Sequence, residues 1–120
     1  MQSKKEVRNV LIAVDRRFKD GRYWDRGYWA KDQWEVPVEW DDPNACCWCF
    51  AGGIHKETND NIDLYKETTA YVAAHLVKTE RTERLEGEDD DSVIIYWNDA
   101  DTTHFLDIKD VLRECIEELS

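Results

Sequence analysis

Three stretches of the sequence repeat apolar residues at the spacing of an α-helix, and no other feature constrains the fold as strongly. Steps of three and four residues place these side chains on one helix face. A helix with one apolar face buries it against other elements, so the pattern predicts a compact, mainly helical bundle. The positions are Val7, Val10, Leu11, Val14 and Phe18 in the first stretch, Ile62, Tyr65, Thr69, Val72 and Leu76 in the second, and Ile108, Val111, Leu112, Cys115, Ile116 and Leu119 in the third.

Capping signals mark the expected ends of these helices. Ser3 followed by Glu6 forms a capping box, and Gly21 suits the left-handed residue that follows the first helix. Asn59-Asp60-Asn61 predicts a turn and a cap before the second stretch. Asp107 is the expected cap of the last helix.

A further helix is predicted between Asp42 and Thr58. An aspartate followed by a proline, here Pro43, is typical of a helix N-terminus. On this helix Cys46 and Cys49 would share one apolar face, because they lie three residues apart. The bundle is therefore expected to contain about four helices.

Two other segments have the character of extended chain. Residues 34–40 alternate apolar and polar side chains, and Pro37 restricts them to an edge strand or an ordered loop. Val93–Trp97 is a β-branched and aromatic run that predicts a short buried strand. We expect one domain over residues 1–120, mainly α with a short extended or β-hairpin segment; a small α+β fold is the alternative.

The charge of the chain favours some partners over others. There are 16 Lys and Arg against 27 Asp and Glu, a net charge of −11. Such a field repels phosphate backbones, so direct nucleic-acid binding is not expected, whereas a basic protein partner is. Acidity that serves solubility alone is the alternative. The densest acidic segment is an expected flexible loop with Glu88, Asp89, Asp90 and Asp91.

An aromatic segment between residues 23 and 40 carries the strongest indication of function. It holds more large rings than one extended segment buries, and Arg22 and Arg26 lie among them. Trp, Tyr and Arg are the residues enriched in binding hot spots, so the segment is a candidate partner-binding loop. The candidate residues are Tyr23, Trp24, Tyr28, Trp29, Trp34 and Trp40.

The cysteines admit a metal or a redox interpretation. Cys46-x-x-Cys49 is half of a zinc-binding pattern, but no second short-spaced ligand pair completes it. Cysteine on an apolar helix face behaves as a small hydrophobic residue, so we expect no metal and no other cofactor. Without a signal peptide or a membrane span in the sequence, reduced cysteines predict a cytoplasmic protein that does not bind membranes.

The tripeptide Trp97-Asn98-Asp99 has two interpretations. In the functional one, Asn98 and Asp99 face a cleft at the end of a strand and bind a polar group. In the structural one, Trp97 anchors the core while the two polar residues form a turn through hydrogen bonds to the backbone. The structural interpretation is favoured, because Asn-Asp between elements is common turn chemistry.

A series of motifs runs in order along the chain. It comprises Asp42, Ala45 and Cys49-x-x-Gly52-x-Ile54, then Trp97-Asn98-Asp99, Thr102 or Thr103, and Val111-Leu112. Over roughly residues 7–119 this order resembles a bacterial and phage domain family of unknown function. Gly53, where the pattern prefers alanine, and the aromatic content between Trp24 and Trp40 depart from it. The resemblance implies a compact helical fold and no established activity.

Two function classes follow from these observations. The favoured hypothesis is a small cytoplasmic interaction or accessory protein that binds a protein partner through the aromatic segment, the acidic surface or both. A phage-encoded inhibitor of a host nucleic-acid-binding machine is one version of it, and the oligomeric state is left open. The less favoured alternative is a small-molecule or metal-dependent enzyme with a site around Cys46, Cys49, Asn98 and Asp99.

Overall fold

A computed structural model describes residues 4–120, which form five helices and a three-stranded sheet. The mainly helical architecture with a short hairpin is confirmed, with one helix more than expected. Ser3, the first residue of the capping box, lies outside the described residues. The elements are α1 (Lys4–Phe18), β1 (Ala30–Lys31), β2 (Pro37–Val38), β3 (Cys47–Trp48), α2 (Phe50–Thr58), α3 (Ile62–Lys78), α4 (Asp90–Asp99) and α5 (Phe105–Glu118).

The apolar faces of the helices meet in one core. Leu11, Leu76 and Leu112, one from each predicted stretch, are completely buried. The short helix α2 lies among α1, α3 and α4. Its Gly53 lets α1 approach closely, since a Cβ there would lie 2.8 Å from Cζ of Phe18. Helical periodicity therefore identified the buried side of α1, α3 and α5, except at Ile62, which begins α3 and is 52% exposed.

The sheet is small and is attached to the start of α2. Its strand order is β2-β1-β3, and both pairings are antiparallel. Pro37 lies on the edge strand β2, as the sequence predicted, where its missing N–H costs no ladder hydrogen bond. Asp32 holds the β1–β2 loop, because its Oδ1 accepts hydrogen bonds from the N–H groups of Trp34 (2.9 Å) and Val36 (3.0 Å).

The predicted helix at Asp42-Pro43 is wrong at its start and correct at its end. Oδ1 of Asp42 accepts from the N–H of Asn44 (2.7 Å), which makes a local turn instead of a cap. The chain then pairs with β1 as an extended strand, and α2 begins only at Phe50, with Cys49 as its N-cap. Pairing with a neighbouring strand overrides the local capping signal.

The predicted strand at Val93–Trp97 is a helix. Val93, Ile94 and Trp97 are buried at helical spacing, whereas Tyr96 is 67% exposed. The first turn of α4 contains Asp90 and Asp91. Carboxylates near a helix N-terminus are stabilised by the unpaired N–H groups and the helix dipole, so local charge and tertiary packing together outweigh the β propensity of the run.

The start of α4 also shows that the prediction of a flexible acidic loop is wrong for most of that segment. Asp89 is the N-cap residue of α4, and two of the four acidic residues belong to its first turn.

The cap of the last helix also differs from the prediction. His104 takes the N-cap position of α5, and the side chain of Asp107 accepts a hydrogen bond from the N–H of His104 (2.8 Å). Asp107 thus contributes to the cap from inside α5.

Candidate functional site

Asn98 lies at the centre of a buried polar cluster that joins three parts of the chain. The side chain is completely buried at the end of α4. Its Oδ1 accepts hydrogen bonds from Nε1 of Trp24 (2.7 Å) and from the N–H of Phe50 (3.0 Å) at the start of α2. Its Nδ2 donates to the carbonyl of Asp25 (3.2 Å) and to Oδ1 of Asp99 (3.0 Å). We refer to these five residues as the Asn98 cluster.

All polar atoms of the Asn98 side chain are satisfied inside the protein. Asp99 also accepts from the N–H of Gly27 (2.9 Å), which ties the loop before β1 to the same cluster. The interpretation that placed Asn98 and Asp99 at the end of a strand is wrong, because both belong to the last turn of α4. Their hydrogen bonds are internal, so the arrangement supports the structural role over the polar cleft.

Cys49 lies beside this cluster and acts as a structural residue. Its Sγ accepts a hydrogen bond from the N–H of Gly52 (3.2 Å), capping α2. Burial raises the pKa of its thiol to about 12, which disfavours the thiolate that nucleophilic chemistry requires. A cavity of about 70 Å³ lined by Cys49, Trp29 and Asp99 adjoins it and is too small for most substrates.

The other three cysteines lie outside the Asn98 cluster. Cys46 is on no helix and lines a different groove, beside Trp48. Burial also raises the pKa of Cys47 to about 11 and that of Cys115 to about 12. All four cysteines are free, and over residues 4–120 no three His, Cys, Asp or Glu side chains converge as metal ligands. The structure thus separates Cys46 from the other residues of the enzyme alternative.

The aromatic segment divides into a buried part and an exposed part. Trp29 and Trp40 are half-buried and pack on His55 of α2. The His55 ring stacks between Trp40 (4.5 Å between centroids) and Tyr65 (3.9 Å), and burial lowers its pKa. With Trp24 in the Asn98 cluster, three of the six candidate aromatics hold the loop to the helices.

Tyr28 and Trp34 form the exposed part. Their side chains are 55% and 72% exposed, and Val36, two residues after Trp34, is 52% exposed. A groove of about 490 Å³ is lined by Tyr28 and by residues of the same segment, namely Trp29, Pro37, Val38, Glu39 and Asp42. We call Tyr28, Trp34, Val36 and this groove the hairpin surface.

The four acidic candidates of the expected loop lie at a second pocket. They border a pocket of about 640 Å³ together with Tyr65 and His55. Tyr65 donates to Asp91 (3.1 Å), and Arg84 pairs with Asp90 (2.7 Å). Part of this acidity is thus neutralised within the protein. The four residues are Glu88, Asp89, Asp90 and Asp91.

Sequence reasoning missed a basic groove at the end of α1. The groove has a volume of about 560 Å³ and is lined by Arg16, Arg17, Lys19, Tyr23, Trp48 and Glu57. The candidate Tyr23 therefore lies here, apart from the hairpin surface. The available signal was the run from Arg16 to Lys19, three bases in four residues, which the net acidity of the chain obscured.

These features define a small, mainly helical domain with surface grooves and a closed polar cluster. A family model described as a family of unknown function, DUF6197, matches residues 2–118, so the chain belongs to that family. No curated protein and no solved structure matches the chain. Within residues 4–120, no helix has both the length and the apolar character needed to cross a membrane.

Proposed function

We propose that this domain is a cytoplasmic protein-binding module that holds a basic, extended segment of a partner protein on its hairpin surface. The observation that carries the proposal is the exposure of Trp34. A tryptophan that is 72% exposed contributes little to folding, and Trp is among the residues that dominate binding energies. Tyr28 and Val36, on the same segment of the chain, are exposed as well.

The negative charge of the segment around Trp34 indicates a basic partner. Residues 32–42 contain five carboxylates and no Lys or Arg. Two of them, Glu39 and Asp42, line the groove beside the aromatic side chains. A Lys or Arg side chain suits such a groove, since its aliphatic stem covers apolar surface and its cation interacts with carboxylates and ring faces. Lys31, which pairs with Asp25 (3.0 Å), already places its Nζ 5.5 Å from the centroid of Tyr28, so this ring accepts a cation within the protein.

The cysteines and the net charge support the cellular setting of the proposal. Four free cysteines suit a reducing compartment such as the cytoplasm. The net charge of −11 speeds encounter with a basic partner through long-range attraction. Proteins of nucleic-acid-binding machines carry basic surfaces of this kind, so an inhibitor of one, phage-encoded or cellular, is a specific form of the proposal.

A peptide titration followed by NMR tests the proposal. The probes are extended peptides in which Lys or Arg alternates with Val or Leu, and matched peptides with Glu at the basic positions. We expect the basic peptides to shift the amide signals of residues 28–42 and the Glu peptides to leave them unchanged. Shifts outside the hairpin surface, or equal binding of both peptide sets, would rule the proposal out.

Two matched pairs of variants assign the binding energy. Trp34→Ala should weaken binding by about tenfold or more, as expected for a hot spot, whereas Tyr96→Ala, which removes a similarly exposed aromatic from α4, should not. Glu39→Gln with Asp42→Asn should slow association at low salt. Glu83→Gln with Asp101→Asn removes the same charge elsewhere and should have a smaller effect.

A further inference from the structure

We propose that the groove at the end of α1 binds a small phosphomonoester that carries a planar body. The groove is independent of the hairpin surface, and its charge is opposite to that of the chain as a whole. Three cations, Arg16, Arg17 and Lys19, line it against one carboxylate, Glu57. The local balance of +2 matches the charge of a phosphomonoester, which is about −1.5 to −2 at neutral pH.

Arg17 is held in place before any ligand arrives. Its Nε and Nη2 both lie 2.6 Å from Oε1 of Glu57. Its guanidinium lies 4.9 Å from the centroid of Trp48, whose own Nε1 donates to the carbonyl of Trp40 (3.0 Å). Ordering an arginine on binding costs side-chain entropy, so a guanidinium that is already fixed favours binding. The donors of Arg17 that Glu57 does not use, those of Nη1 among them, remain for phosphate oxygens.

Arg16 and Lys19 supply charge that the protein does not neutralise. Neither forms an ion pair within residues 4–120, although the chain has 27 carboxylates. Lys19 adopts a left-handed backbone conformation, with φ at 54°, and its Nζ lies 5.5 Å from the centroid of Tyr23. The helix dipole favours cations at the end of α1, but it does not explain why Trp48 and Tyr23 meet them there.

The remaining lining defines the body of the ligand. Tyr23 and Ala13, both half-buried, provide an apolar wall next to the cations, and Trp48, which is 6% exposed and covered by the Arg17 guanidinium, lies beneath it. The volume of about 560 Å³ lies in the usual range of small-molecule sites, roughly 300 to 1,000 Å³. A phosphate group at the cations and a planar body against this wall would fill both halves of the groove.

The test is an NMR titration of the full chain at about 0.1 M salt, where the Debye length of about 10 Å screens the net charge of the protein. The probes are AMP, phenyl phosphate, adenosine and inorganic phosphate. We expect AMP and phenyl phosphate to saturate with Kd values of about 1 mM or lower, with shifts at Lys19, Tyr23 and Trp48. Adenosine and inorganic phosphate should each bind at least tenfold more weakly, because each fills only half of the groove.

A matched pair of double variants makes the assignment specific. Arg16→Gln with Lys19→Gln should reduce the affinity for AMP by about tenfold or more, while Lys5→Gln with Arg113→Gln, which removes the same charge elsewhere, should leave it unchanged. Equal losses in both variants, or no saturable binding of either phosphomonoester, would overturn the proposal. Tighter binding of a hexaglutamate peptide than of AMP would overturn it in favour of an acidic protein segment.

Discussion

The Asn98 cluster and the hairpin surface use similar side chains for opposite purposes. Trp24 and Trp34 belong to the same aromatic segment, yet Nε1 of Trp24 donates to a completely buried amide, whereas Trp34 is 72% exposed. The half-buried Trp24 joins the loop to α2 and α4 through Asn98, whereas the side chain of Trp34 makes no such connection. A tryptophan that is hydrogen-bonded inside the protein stabilises the fold, whereas an exposed tryptophan remains available to a partner.

Removal of the Asn98 side-chain amide should have the largest effect on stability. Asn98→Ala leaves Nε1 of Trp24 and the N–H of Phe50 without their acceptor in a buried site. Each unsatisfied buried donor costs about 1–3 kcal/mol, so we expect the free energy of unfolding to fall by about 3–5 kcal/mol in denaturant titrations. Asn44→Ala, at an exposed turn, should cost less than about 0.5 kcal/mol. Similar losses in both variants would contradict the contrast.

The next effect concerns the close approach of the aromatic loop to α2. A Cβ on Gly52 would lie 2.1 Å from the carbonyl oxygen of Trp29, which is backbone and cannot move alone. Gly52→Ala should therefore lower the free energy of unfolding by about 3 kcal/mol, the upper part of the range for overpacking.

Gly27→Ala is the control for Gly52→Ala. Gly27 has φ at 90° but no atom near its missing Cβ, so its substitution costs conformational strain alone, about 1–2 kcal/mol. If Gly27→Ala proved the more damaging of the two in thermal or denaturant unfolding, the loop would not depend on its contact with α2.

A smaller effect on stability is expected from a charged contact between α3 and α5, and it should depend on pH. Two hydrogen bonds from Arg81 (2.7 Å each), together with His75 at 2.8 Å, lower the pKa of Glu114 from 4.5 to about 2. Because the pKa is lower in the folded than in the unfolded protein, this stabilisation is present above about pH 5 and lost as the pH falls towards 2. Solvent screens the partly exposed pair, so we expect a loss of about 1 kcal/mol.

Denaturant unfolding at several pH values between 5 and 2 measures this loss. Glu114→Gln removes the titrating carboxyl and should show a correspondingly shallower decline in stability than the unmodified chain. Identical pH dependence in the two proteins would mean that Arg81 and His75 do not stabilise the ionised form.

The smallest effect on stability belongs to the hairpin surface. Trp34→Ala should change the free energy of unfolding by less than about 0.5 kcal/mol, because the side chain is exposed and only the backbone of Trp34 is held, by Asp32. A loss above 1 kcal/mol would show that Trp34 serves the fold, and the contrast with Trp24 would disappear.

Periodic features of the chain were sufficient to predict much of the fold. The apolar stripes of α1, α3 and α5 were identified because a helix repeats its environment every three to four residues. Pro37 on an edge strand and Asn61 as the N-cap of α3, which accepts from the N–H of Leu64 (3.1 Å), were correct for the same kind of reason. Each depends on backbone geometry within a few residues.

Tertiary structure decided the features that depend on distant partners. Val93–Trp97 has the composition of a strand but is helical, since its packing against α3 and the acidic first turn favour α4. The sequence could not show which tryptophan meets Asn98, 74 residues away from Trp24, or that Arg17 meets Glu57 and Trp48 in a basic groove of an acidic chain. The spacing of residues along the chain determines helices and caps. The partners of buried polar side chains and the charge of each groove depend on which distant segments the core brings together.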